Sequence, residues 1–203
     1  SFGYLGTFAK NEVLGKNANV NTVDVVYLPT EDFRLYAILL NSIVEEKKGY
    51  GLRVSIRKQV NQDLSTGLGI YYLDKDLDIN DMGYLMRNDW IMIGGRTQLQ
   101  KTDFNKTSKT LMRTYQHSYG CRALSNGDKE GCFSGFEIKN QFKNTSQIET
   151  EVFFRTNGRD NLITRGSELA PYIKLPQNYG IDFKYIGQKN KFWQWTLFAQ
   201  RSK

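Results

Sequence analysis

The chain has 203 residues, a length that suits one domain, and with 39% apolar and 24% charged residues it is not a disordered tail. Aromatics reach 13%, with 12 Tyr, 12 Phe and 18 Gly against only 3 Pro, a balance that favours β structure over helix. The net charge is +7, but Lys and Arg are dispersed in runs of no more than two, so there is no basic stripe for nucleic acid.

Read with a period of two, the chain alternates almost throughout. Strands are expected at about 2–9, 19–28 and 33–43. The clearest is 50–57, where Tyr50, Leu52, Val54 and Ile56 point one way and Gly51, Arg53, Ser55 and Arg57 the other. In 64–72, Leu68, Ile70 and Tyr72 alternate with Gly67, Gly69 and Tyr71. Less clean candidates follow at 90–101, 110–119 and 133–142. Segment 147–155 sets Ile148, Val152 and Phe154 against Glu149, Glu151 and Arg155. Then come 169–175, 179–185 (Tyr179, Ile181, Phe183 and Tyr185 against Asp182 and Lys184) and 192–200. These are roughly twelve strands of about 8–11 residues, the length a tilted membrane strand needs.

The connections are expected to alternate, long at 10–18, 44–49, 73–89, 120–132 and 156–168, and short at 29–32, 60–63, 143–146 and 176–178. Long loops on one rim and tight turns on the other are the asymmetry of outer-membrane barrels. No run of about 18 apolar residues occurs, which excludes a membrane-spanning helix. A membrane-spanning barrel stays open, because alternating strands average to a hydrophilic mean hydropathy, here −0.54.

The polar side of the strands carries Arg53, Arg57, Arg96, Glu137, Lys139, Glu149, Glu151, Arg155, Asp182 and Lys184. In a barrel these line the lumen; in a soluble sheet they are the solvated face. Tyr50, Tyr72, Trp193 and Trp195 sit near strand ends, where interfacial aromatic girdles lie. Cys121 and Cys132 flank a polar loop and are expected to form a disulfide there in an oxidising compartment. Two Cys and one His are too few for a metal site. The stretch from Asp74 to Asp81 starts like a calcium loop but has Ile79 where the glycine belongs and Leu85 at the bidentate Glu position. His117 and Ser118 are adjacent on a strand, point to opposite faces and cannot form a dyad with each other. No coherent catalytic set appears, so neither an enzyme nor a cofactor is expected.

The stretches Gly67–Leu73 and Leu77–Trp90 resemble the uncharacterised outer-membrane barrel domain that follows carbohydrate-binding family 9-like modules in Gram-negative bacteria. Its loop pattern is matched here by Asp81, Gly83, Tyr84, Arg87 and Asp89, and residues 1–7 and 23–25 are similar to its early strands. The resemblance implies a location in the bacterial outer membrane. The family is larger than this chain, and Lys203 stands where a barrel's last strand should end on an aromatic. The chain also starts at Ser1 without a Met or a signal peptide. The expected architecture is therefore an all-β, antiparallel up-and-down barrel over 1–203, whole or as part of a longer barrel. Its expected partner is the lipid bilayer, and its expected role is transport, pore or receptor. Oligosaccharides or another small solute are the candidate ligands. The alternative is a soluble all-β domain that binds carbohydrate or another ligand.

Overall fold

The computed structural model describes residues 1–11, 16–79, 88–124, 127–160, 172–187 and 196–202. Within them lie thirteen strands. In chain order these are β1 (Phe2–Asn11), β2 (Lys16–Thr30), β3 (Phe33–Val44), β4 (Lys47–Gln59), β5 (Leu64–Leu73), β6 (Trp90–Lys101), β7 (Thr110–Ala123), β8 (Lys129–Phe142), β9 (Gln147–Arg155), β10 (Gly158–Asp160), β11 (Ile173–Leu175), β12 (Asn178–Ile186) and β13 (Thr196–Ser202). Eleven of them form one antiparallel sheet in the order β1-β2-β3-β4-β5-β6-β7-β8-β9-β12-β13. Each strand therefore pairs with its neighbour in that order, the meander expected of alternating segments joined by turns. Among the described residues no pairing joins β13 to β1.

The registers turn local alternation into two continuous faces. Phe2, Val25, Ala37, Val54, Ile70, Ile93 and Cys121 form one cross-strand row over seven strands. Tyr119, Ser134, Phe154 and Tyr179 continue the same face over β7, β8, β9 and β12. These apolar side chains are not buried: Leu39 is 55% exposed, Ile93 49%, Val152 51% and Ile181 54%. Among the described residues, the buried apolar side chains are Ala18, Val20, Leu77 and Leu124. The chain exposes 14291 Å², against about 9,800 Å² for a compact soluble protein of this mass. A single layer of sheet explains the excess: among the described residues contacts run between neighbouring strands, apart from the short β10 against β8, and no second layer covers either face.

The structure departs from the sequence expectation in three places. First, the main sheet has eleven strands among the described residues, against about twelve expected. Of the segment expected at 169–175, the described residues form β11, which pairs with β10 in a separate two-stranded ladder. β12 consequently pairs directly with β9. Second, the expected contrast of connections is weaker than it looked. The long connections are 74–89 and 156–177, the latter containing β10 and β11, whereas 45–46 is a two-residue turn because β3 and β4 extend further than expected. Pro176 to Asn178, expected as a short turn, belongs to that long connection and the start of β12. Third, the disulfide Cys121–Cys132 lies inside the β7–β8 ladder, where the two residues are directly opposed, rather than in the loop. The loop between them is only 124–128, closed by Leu124 N–H donating to Asp128 O and by Gly127 at φ +91.

Two short turns on the opposite rim are held by their own side chains. Asn61 Oδ1 accepts from the backbone N–H groups of Asp63 and Leu64, each at 2.9 Å. Asn144 Oδ1 accepts from the Ser146 hydroxyl at 2.6 Å and from its N–H at 3.1 Å. On the long-loop rim, Leu77 is fully buried against β4. A Cβ at Gly49 would stand 2.2 Å from Leu77 N, so only glycine admits this approach. Asp78 N–H donates to the buried Ser42 hydroxyl at 3.0 Å and pins the loop over β3.

Candidate functional site

The ten charged residues singled out from the sequence all fall on one face of the sheet. Arg57 opposes Gly67, Gly67 opposes Arg96, Arg96 opposes Ser118 and Ser118 opposes Gly135, which carries the same parity from β4 to β8. Glu137 opposes Glu151, and Glu151 opposes Asp182. Lys139 opposes Glu149, and Glu149 opposes Lys184. The cavities along the sheet open on this face.

The face divides into two walls of different chemistry. On β3–β6 the arginines are Arg34, Arg53, Arg57 and Arg96, with Lys47 at the rim, and none of the four arginines forms an ion pair among the described residues. Arg34 and Arg57 are directly opposed, a like-charge juxtaposition that costs stability unless something negative lies between them. Arg53 is instead held by rings, 4.9 Å from the Tyr71 centroid and 5.4 Å from that of Tyr36. Tyr71 in turn stacks on Trp90 at 6.3 Å, and Arg122 lies 5.7 Å from the Trp90 ring. Between the arginines the wall has almost no side chains: Ser55, Gly69, Gly94 and Gly120 form one cross-strand row ending at Phe133. Over this bare backbone lies a cavity of about 450 Å³ lined by Arg53, Arg57, Arg96, Tyr71 and Phe133. A second one of about 390 Å³, lined by Arg34, Tyr36, Arg53 and Arg57, adjoins it.

On β8–β12 the charges are mixed. Glu149 lies between two lysines, 3.0 Å from Lys139 Nζ and 3.4 Å from Lys184 Nζ. The Gln147 side-chain amide also donates to it. Glu137, Glu151 and Asp182 stand in one cross-strand row of three carboxylates. Arg155 lies over the Phe153 ring at 5.8 Å.

Arg34, Tyr36 and the Gly69–Gly94–Gly120 row were not singled out in the sequence. Arg34 is the second residue of a strand whose alternation is poor, and a glycine row across three strands appears only once registers are known. Of the loop motif, Asp89 is described at φ 60, with its N–H directed to Asp74 O at 3.4 Å; Asp81, Gly83, Tyr84 and Arg87 lie outside the described residues, as do Trp193 and Trp195. In the acidic stretch Asp74 Oδ1 accepts from Asp76 N–H, which caps the end of β5. No group of residues suited to a metal ion occurs among the described residues. His117 and Ser118 do lie on opposite faces. His117 Nε2 instead bonds to Ser134 Oγ at 2.9 Å on the apolar face, with its ring tilted against Tyr119.

Compared with known proteins, residues 5–202 match the family model described as a domain of unknown function (DUF5916). No curated protein and no solved structure matches the chain.

Proposed function

The chain belongs to the DUF5916 family of domains of unknown function, and we propose that it is a β-barrel of the bacterial outer membrane, or part of one, that gives polar solutes a pathway or a receptor surface. The observation that carries this reading is the pair of faces. One is an apolar face exposed on strand after strand, with lysines such as Lys58 and Lys101 only near the strand ends, and the other holds the charged residues of the two walls described above. In water so extensive an exposed apolar surface is a liability. In a bilayer the same face is solvated by lipid and the charged face surrounds a wetted lumen. Strands of 9 to 15 residues in β1–β9 are long enough to cross when tilted. Closure of the sheet is part of the proposal. The resemblance to the barrel domain that follows carbohydrate-binding family 9-like modules supports both the membrane and an oligosaccharide ligand.

The test is site-specific labelling. A polarity-sensitive fluorophore is attached at Ile181→Cys and at Ser55→Cys in protein reconstituted into lipid vesicles. The label at position 181 should be quenched by lipid-borne nitroxide and the label at 55 by aqueous iodide. Iodide quenching of both, in a protein that stays monodisperse without detergent, overturns the proposal in favour of a soluble binding domain.

A further inference from the structure

The geometry points to a binding site for a carboxylate-bearing oligosaccharide on the inner wall of β3–β6. The inference deepens the proposed function by naming a solute class, and it rests on that reading for how the solute reaches the wall.

Four arginines occupy this wall without an acidic partner among the described residues, whereas on β8–β12 both lysines are ion-paired with Glu149. Arginine is always charged, and its planar fork is satisfied by two-oxygen acceptors. A carboxylate meets that demand better than a single-atom anion. The spacing asks for more than one such group. Arg34 and Arg57 are one strand apart, about 4.8 Å, whereas Arg57 and Arg96 flank Gly67 two strands apart, about 9.6 Å. One small anion cannot bridge the whole row; a chain with repeated carboxylates can. The glycine row clears the floor: a Cβ at Gly94 would stand 2.8 Å from Tyr119 O, and one at Gly120 2.8 Å from the Phe133 ring. What remains is a shallow trough of about 450 Å³ with aromatic rings beside it, enough for one or two sugar rings. Arg53, held between Tyr36 and Tyr71, is ordered before any ligand arrives, so little side-chain freedom is lost on binding.

Three probes decide it, used on the full chain in lipid nanodiscs: trigalacturonate, maltotriose as the uncharged trisaccharide, and inorganic phosphate. Trigalacturonate should bind, with an affinity that falls as salt rises, and maltotriose should not. Arg57→Gln and Arg96→Gln should each weaken trigalacturonate at least tenfold, and Arg57→Lys should restore part of the loss. Lys106→Gln, in the 102–109 connection, should leave binding unchanged. Phosphate that competes as well as trigalacturonate overturns the oligosaccharide assignment and leaves a general anion patch. Absence of binding, with the fluorophore at 181 still in lipid, overturns the site and spares the barrel. Arginine-dependent binding by protein that is monodisperse without detergent supports the site and sinks the membrane reading instead.

Discussion

The β3–β6 wall and the β8–β12 wall are built from the same alternating strands, yet they settle their charges in opposite ways. On β8–β12, Glu149 sits between Lys139 and Lys184 within 3.4 Å of both. Those cations have their counter-charge within the protein. On β3–β6 the cations face glycine, serine and aromatic rings, and one arginine opposes another. The lysines of β8–β12 thus serve the fold, while the charges left over there, in the Glu137–Glu151–Asp182 row, are negative and those left over on β3–β6 are positive. A wall whose charges are left over is available to something outside it. The disulfide Cys121–Cys132 ties β7 to β8, at the seam between the two.

In the proposed barrel both walls are backed by lipid, and a charge at mid-strand tests this most directly. Val54→Arg places a charge at mid-strand on the apolar face and should cost about 2–4 kcal/mol in a bilayer. Ser55→Arg, one residue away on the other face, should cost far less. Equal losses in denaturant titrations of the reconstituted protein would show that the faces are misassigned. Next comes the seam. Replacing both cysteines with serine opens a loop of 11 residues and should cost roughly 2–3 kcal/mol in the chain-entropy picture. Unreduced peptide mapping should recover Cys121 linked to Cys132, and the reduced protein should unfold at a correspondingly lower denaturant concentration.

The contrast between the walls is sharpened by a matched pair. Glu149→Gln leaves Lys139 and Lys184 facing each other with partly buried side chains, and should cost about 1–2 kcal/mol. Arg96→Gln removes a charge that has no ion-pair partner among the described residues and should stay within about 0.5 kcal/mol of the parent. If Arg96→Gln were the more damaging of the two, the basic wall would be structural and the anion site would lose its basis.

The smallest effect concerns pH. Asp32, in the turn between β2 and β3, has its carboxyl held below the ordinary value by the hydrogen bond from the Thr30 side chain, then by its own backbone N–H and by Lys58. A carboxyl depressed in the folded state stabilises above its unfolded value of about 3.9, and that contribution is lost as pH falls through the lower native value. Asp32→Asn should therefore lower stability slightly at neutrality, flatten the curve below pH 4 and converge on the parent at the acid end. Thermal unfolding across pH 2–7 reads this directly.

What the sequence determined by itself is which side of a strand each residue occupies. Period two is a local property of extended backbone, so Tyr50 to Arg57, Gln147 to Arg155 and Tyr179 to Tyr185 could be sorted into faces without knowing a single neighbour. The ten charged residues were found on one face for that reason. Tertiary structure alone decided which strand lies beside which. Nothing local in 169–175 tells a short hairpin from a strand of the main sheet; pairing with β10 does. Nothing in Cys121 or Cys132 tells a loop from a ladder, because the answer depends on how far β7 and β8 run before turning. Arg34 becomes part of a site only because β3 lies against β4 in a register that sets it opposite Arg57. Gly69, Gly94 and Gly120 become a trough only when three strands align. Alternation is written residue by residue, but register is a choice among pairings distant in the chain, and it is made by the summed fit of both faces at once.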